Sequence, residues 1–230
     1  SYLYKQAADL VISKDNGDVE RKFWKDDFSV DTSSQYTGDV ASYIWDTTNC
    51  RVASLSSKSF KYLKRAVTNP RFVSVVGQYD TGSENDRNYY LNVKLDETNY
   101  IHVMVSGNST TSTYRAYIRE SGVVILDRTF ALGIPISTAV RIDIAIESDN
   151  VKFYANGSLL YTHSSGISFE PTLVEVYRYS TDGGTVYFKD FTVLPSISYT
   201  DDFATDTVTF STPSGSVEVA NEYASRYTGV

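Results

Sequence analysis

The chain is short of the residues that staple, span or charge a protein in one direction. Only one of its 230 residues is cysteine, Cys50, so no disulfide can close within it. Its two histidines, His102 and His163, fall in separate stretches, and no serine, histidine and acid grouping with recognisable surroundings accompanies either. Apolar runs are short. VVIL at 123–126 is typical, far below the roughly 20 residues with which a helix crosses a bilayer. Basic residues are outnumbered, 21 Lys and Arg against 28 Asp and Glu. The net charge of −7 argues against a nucleic-acid protein, which needs a basic field to neutralise phosphates. The first ten residues, SYLYKQAADL, lack the basic and apolar regions of an export signal. Sustained 3.6-residue periodicity is also missing, which removes amphipathic helices from the expected fold.

What is present is alternation. Val140, Ile142, Ile144 and Ile146 point one way and Arg141, Asp143, Ala145 and Glu147 the other, the pattern of a strand with one buried face. Ser148-Asp149-Asn150 turns the chain, and Val151, Phe153 and Ala155 return it. Asn156-Gly157, a pair that readily takes positive φ, then predicts a tight hairpin into SLLYTH. Upstream, Phe72 to Val76 reads as a buried strand, and Leu91, Val93 and Leu95 alternate with Asn92, Lys94 and Asp96. Ile101, Val103 and Val105 form the second arm of that hairpin, Tyr114 to Ile118 the next strand, and ESG turns into VVILDRTF. LVEVYRY and TVYFKDFTV flank the loop STDGG. In the latter strand Val186 and Phe188 share one parity, but Phe191 and Val193 have the other. Either a β-bulge at Lys189-Asp190 or a strand buried on both faces is expected. Strands joined by hairpins rather than helices predict an all-β, antiparallel two-sheet sandwich, and 230 residues suffice for one such domain plus tails.

The ordered pieces resemble the concanavalin A-like jelly roll, in its laminin G-like and related surface, adhesion, phage and archaeal versions. DDFSVDT at 26–32 opens the pattern. SYIWDTTNCRVAS with Trp45, NYYLNVKL, VRIDIAIESDNVKFYANGSLLY and finally VYFKDFTV follow. The match spans residues 23–194, leaving an N-terminal extension, 1–22, and a C-terminal one, 195–230. The resemblance implies that the acidic-aromatic closing strand, Lys189-Asp190-Phe191, lies beside the opening one. It also implies a structural Ca²⁺ near that meeting, for which Asp26, Asp27, Asp31 and Asp190 are the candidate ligands, calcium taking six to eight oxygens. SKDNGD, with Asp15 and Asp18, is a further acidic turn. The fold is shared by lectins, glycan-cleaving enzymes, adhesion modules and inert building blocks, so it does not choose a role.

Catalysis is not expected. Glucanases of this fold carry a Glu-x-Asp-x-x-Glu strand, which the sequence lacks, and Asp143 and Glu147 beside Arg141 read as a solvated outer face. A glycan site would need an exposed aromatic platform. Tyr89, Tyr90, Tyr177 and Tyr179 are its candidates, with packing as the alternative. The stretch 58–72 carries Lys58, Lys61, Lys64, Arg65 and Arg71 with no acid, interleaved with Phe60, Tyr62 and Phe72. It suits an acidic glycan, an acidic face of another copy, or simply a charged strand face. Asn108 and Asn156 head glycosylation sequons. With 19 Tyr and abundant Thr, the composition suggests an extracellular, cell-surface or virion-surface protein.

The opening phrase recurs as DDFATDT at 201–207, followed by VTF and SVEVA. That is either the stub of another domain or a strand that adds to the sheet edge of another copy, with Val208, Phe210, Val217 and Val219 as its apolar side. The favoured expectation is therefore a non-catalytic extracellular structural protein that assembles with copies of itself into a filament or surface layer. The second is a lectin-like, carbohydrate-binding adhesion module. Nucleic acid and membrane insertion are not expected.

Overall fold

Alternation does become strands, and the strands become two stacked antiparallel sheets. The computed structural model describes residues 24–55, 59–80, 87–180 and 184–195, together with the backbone of four short strands in the terminal extensions. In chain order β1 (Val11–Lys14) and β2 (Val19–Glu20) precede β3 (Trp24–Asp26), β4 (Thr37–Gly38), β5 (Tyr43–Asp46) and β6 (Arg51–Ser54). Then come β7 (Lys61–Ala66), β8 (Pro70–Tyr79), β9 (Arg87–Lys94), β10 (Tyr100–Gly107), β11 (Ser112–Glu120) and β12 (Val123–Ala131). The series continues with β13 (Val140–Ile146), β14 (Val151–Ala155), β15 (Ser158–His163), β16 (Leu173–Ser180) and β17 (Val186–Pro195). β18 (Val208–Thr212) and β19 (Gly215–Val219) complete it.

One sheet has the order β12-β11-β10-β9-β16-β7-β4, the other β15-β14-β13-β8-β17-β6-β5, with β3 pairing on β17. Their inner faces supply a single large core. Leu91, Val93, Val103, Ile118 and Val176 come from the first sheet, and Val75, Ile142, Ile144, Phe153 and Phe188 from the second, all fully buried. Each such side chain contributes about 1.5–3 kcal/mol relative to exposure. Gly77 on β8 marks a close approach: a Cβ there would lie 2.3 Å from the Tyr89 ring, so the missing side chain is the space the tyrosine fills.

The parity change in β17 is a bulge. Its register against β8 shifts between Lys189 and Thr192, and Asp190 takes φ 49°. The extra residue turns Phe191 and Val193 to the same side as Val186 and Phe188, and all four enter the core. Asp26 on β3 lies opposite Phe191, so the opening and closing strands are neighbours. At the predicted hairpin Asn156 and Gly157 have φ 50° and 75°. Leu95 does not continue β9: the strand ends at Lys94, and Leu95 is exposed in the following turn.

The extensions pair with each other. β18 lies between β19 and β1 in a four-stranded sheet, with Val208 opposite Val219 and Phe210 opposite both Val217 and Ile12. For β18 the expectation of a donor strand for another copy is corrected accordingly. Both edges of β18 are taken within the chain, so Val208 and Phe210 lie on no open strand edge, whereas Val217 and Val219 lie on β19, at the edge of that sheet. DDFATDT at 201–207 and SKDNGD's Asp15 and Asp18 lie outside the described residues.

Candidate functional site

The outer face of the seven-stranded sheet carries what alternation turns away from the core. Because Leu91 and Val93 point inward, Tyr90, Asn92 and Lys94 point outward; Val174 and Val176 likewise send Glu175 and Tyr177 out. Register then assembles a row across six strands. Asp127 stands opposite Tyr117, Tyr117 opposite His102, His102 opposite Asn92, Asn92 opposite Glu175, and Glu175 opposite Lys64. Lys94, Glu97 and Tyr100 border one side of this row, and Tyr62 and Tyr177 the other. Together with its central members they line a depression of about 400 Å³.

At its floor lies Glu175, 1% exposed. Its Oε1 is 3.3 Å from the ammonium groups of both Lys64 and Lys94, and its Oε2 accepts a hydrogen bond from Asn92 Nδ2 at 3.1 Å. A carboxylate only accepts, so this contact settles which end of the Asn92 amide faces it. Asn92 Oδ1 is then turned to His102, whose Nδ1 lies 2.7 Å away and must be the protonated ring nitrogen. Burial, reinforced by the Arg115 guanidinium and partly offset by Asp127, pulls His102 down to about 4 and keeps it neutral near pH 7. Burial also pulls on Lys94, but its bonds to Glu97 and Glu175 outweigh that and hold it above its ordinary value.

Aromatic rings flank these charges. Tyr90 and Tyr177 stack with centroids 4.3 Å apart and planes at 6°, and Tyr62 joins at 4.7 Å from Tyr177. Phe60 lies over this ladder, 4.8 Å from Tyr179, and is 45% exposed. On the other flank Tyr100 and Tyr117 stack at 5.7 Å.

Of the four tyrosines expected to bind glycan, Tyr90, Tyr177 and Tyr179 therefore belong to this face, but Tyr89 does not. Tyr89 is fully buried in the core against Phe188 and Tyr79, because adjacent residues on a strand face opposite ways. Its parity with Leu91 and Val93 is the signal that would have placed it. Within the basic stretch, Tyr62 and Lys64 line the depression, whereas Arg65 stacks over the Trp24 ring at 3.9 Å and Phe72 is buried. Lys58 lies outside the described residues. Asn92, Lys94, Glu97, Tyr100 and Glu175 were not anticipated as site residues. They become one only through strand order, β9 and β16 being spatial neighbours but distant in sequence.

The other candidates do not join it. Asp143 is not solvated. It is 4% exposed on the far sheet, accepting from Ser74 Oγ at 2.5 Å and from Arg141 Nε at 2.7 Å. Glu147 pairs with Lys152 at 2.6 Å. The carboxylates expected to hold calcium are engaged within the chain. Asp26 has both oxygens occupied, by the Phe28 N–H, the Thr32 hydroxyl and the Tyr36 hydroxyl. Asp27 and Asp31 each accept from the backbone two residues on, at Ser29 and Ser33, and Asp190 forms the bulge. Among the described residues no group of three or more His, Cys, Asp or Glu is placed to hold a metal. Asn108 and Asn156 sit in turns, their Oδ1 atoms accepting from Thr110 N and Arg141 N.

No protein-family model matches the sequence, and no curated protein is detectably related to it. Solved structures do resemble it. A Crh5 transglycosylase has a TM-score of 0.61 at 10% identity, covering 76% of this chain and 85% of its own. A Bacillus licheniformis beta-glucanase has a TM-score of 0.60 at 10% identity, covering 76% and 98%. The fold is the concanavalin A-like jelly roll. The laminarinase catalytic domain from Thermotoga maritima shares it as well, at a TM-score of 0.57 and 9% identity over 76% and 98%.

These likenesses correct two expectations. The expectation of a non-catalytic, self-assembling structural protein does not hold, for the solved structures that share the fold include a transglycosylase, a beta-glucanase and a laminarinase. The tails on which that reading leaned pair with each other. The conclusion that the chain is not an enzyme, drawn from a missing Glu-x-Asp-x-x-Glu strand, is overturned by the same company.

Proposed function

We propose that this jelly roll is a carbohydrate-active protein that takes a segment of a glycan chain along the outer face of its seven-stranded sheet. The observation that supports the reading is the pairing of two aromatic flanks with a polar floor inside one depression of about 400 Å³. Sugars present apolar C–H faces and hydroxyl edges. Rings of Phe60, Tyr62 and Tyr100 suit the faces, while Asn92, His102, Lys64 and Lys94 suit the edges. The floor is preorganised: Glu175 orients Asn92, and Asn92 orients His102, so little ordering remains for the ligand to impose.

Calorimetry against a panel of neutral and charged oligosaccharides tests this. Binding at micromolar to millimolar Kd is expected. It should be lost in a Tyr62→Ala, Tyr100→Ala double variant whose unfolding midpoint stays close to that of the parent. Absence of binding to every oligosaccharide would refute the reading. The same incubations, assayed for new reducing ends, decide whether bound glycan is also cleaved or transferred, with Glu175 as the carboxylate at the floor.

A further inference from the structure

Lys94 holds a carboxylate that is free to leave. Its ammonium is 2.7 Å from Glu97 Oε1 and 3.3 Å from Glu175 Oε1. The two carboxylates differ in kind. Glu175 is fixed at the floor, whereas the Glu97 side chain is 88% exposed on the turn after β9, and its one hydrogen bond among the described residues is to Lys94. An exposed ion pair of this sort contributes only about 0.2–1 kcal/mol, so a ligand displaces it at little cost.

The charge around it favours an anion. The outer face of this sheet presents Lys64, Lys94, Arg115 and Arg119 against Glu175, Glu97 and Asp127, in a chain whose net charge is −7. Arg115 and Asp127 cancel in a two-pronged pair, with contacts of 2.8 and 2.6 Å. Glu175 neutralises one of the two lysines. When Glu97 swings away, one positive charge is left uncompensated in the depression, beside a lysine that is only 10% exposed. A neutral sugar laid over that ammonium would leave it poorly solvated. A ligand carboxylate would replace Glu97 with the same chemical group.

We propose that the glycan this groove selects carries carboxylates, as a uronate-containing chain does, with Lys94 and Lys64 binding the ligand carboxylate and Glu97 standing in for it in the free protein. This rests on the carbohydrate-binding reading above and adds the ligand's charge and the exchange of one carboxylate for another.

The test compares a uronate oligomer, a neutral glucan oligomer and a sulfated oligosaccharide of matched length by calorimetry at low and high salt. The parent is expected to bind the uronate oligomer about tenfold tighter than the neutral one, the value of one charge-assisted hydrogen bond. Salt should weaken the uronate complex. Glu97→Gln, at a surface position that leaves the fold intact, should tighten uronate binding about two- to fivefold by removing the internal competitor. Lys64→Gln should weaken uronate binding about tenfold and neutral binding by less, so that the preference for uronate shrinks. Neutral binding as tight as uronate binding, or uronate affinity unmoved in Glu97→Gln, would overturn the inference while leaving the carbohydrate-binding reading standing. Equal binding of the sulfated oligosaccharide would overturn the choice of carboxylate. If none of the three binds, the inference and the reading beneath it fail together.

Discussion

The two sheets of this sandwich each carry a buried carboxylate on the outer face, and the comparison shows what burial of a charge does and does not signify. On the eight-stranded sheet Asp143 sits with Ser74 and Thr192, and beside them Phe72, Ala145 and Leu194 form a small buried apolar cluster. Its partners, Ser74 and Arg141, come from its own strand and the next, and they saturate one oxygen. On the seven-stranded sheet Glu175 is equally buried, but it bridges two lysines and its partners line a depression. Burial alone would have ranked the two together. The surroundings separate them: a single arginine partner on one side, and on the other two lysines on a charged floor open between aromatic rings.

Substitutions can break that contrast, beginning with Glu175 itself. Glu175→Gln keeps the shape and the Asn92 contact but leaves Lys94 without its buried counter-charge. A loss of about 3 kcal/mol is expected, read as a lower urea midpoint at unchanged slope, together with loss of glycan binding. A stability equal to the parent's would mean that the carboxylate is not the hub of the cluster.

Next in size is a pH effect confined to the same face. His102 is held down to about 4, against 6.5 unfolded, and is surrounded by Asn92, Tyr90, Tyr100, Tyr117 and Tyr177, with Arg115 and Asp127 as the nearby charges. Between those values the unfolded chain binds the proton and the folded one does not. The stabilisation is therefore fully present above pH about 6.5 and declines as pH falls toward about 4, by roughly 2–3 kcal/mol. Denaturation across that window checks this, and His102→Gln should flatten the slope. A slope that survives the substitution would assign the effect to other groups.

Asp143→Asn is the counterpart on the eight-stranded sheet. It loses a charge-assisted contact to Arg141, so a cost of about 1–2 kcal/mol is expected, with glycan affinity within error of the parent. A change in affinity would mean that the two faces are coupled through the core, and the contrast would blur.

How far the sequence announces this follows from where each signal is stored. Strands and turns are local, and Val140 to Ile146, Asn156-Gly157 and the parity break at Lys189-Asp190 can all be read from neighbouring residues. The site is not local. His102 and Tyr177 are 75 positions apart, and they meet because β16 returns beside β9, an order no periodicity encodes. Glu175, between Val174 and Val176, looks like any outward charge on a strand until Lys64 and Lys94 are seen to converge on it. The aspartates of DDFSVDT are ambiguous for the same reason. Their spacing suits turn caps and cation ligands alike, and only the placement of the Thr32 and Tyr36 hydroxyls on Asp26 tells which they are.

The smallest expected effect sharpens the comparison at the scale of one residue pair. Tyr89 and Tyr90 are consecutive, yet one is fully buried in the core and the other lies on the outer face of the sheet, stacked on Tyr177. The Tyr89 hydroxyl is buried with no hydrogen-bond partner. Tyr89→Phe removes an unsatisfied polar atom and keeps the ring that fills the space beside Gly77. Stability is then expected to hold or rise by up to about 1 kcal/mol, with glycan affinity unchanged. Tyr90→Phe touches the other side of the sheet, where its ring stacks on Tyr177, and should leave stability nearly unmoved. If Tyr89→Phe instead lowered stability by more than about 1 kcal/mol, its hydroxyl would have a partner, such as a buried water. If it lowered glycan affinity, the core would be transmitting to the groove, and the two faces of the strand could no longer be treated as independent.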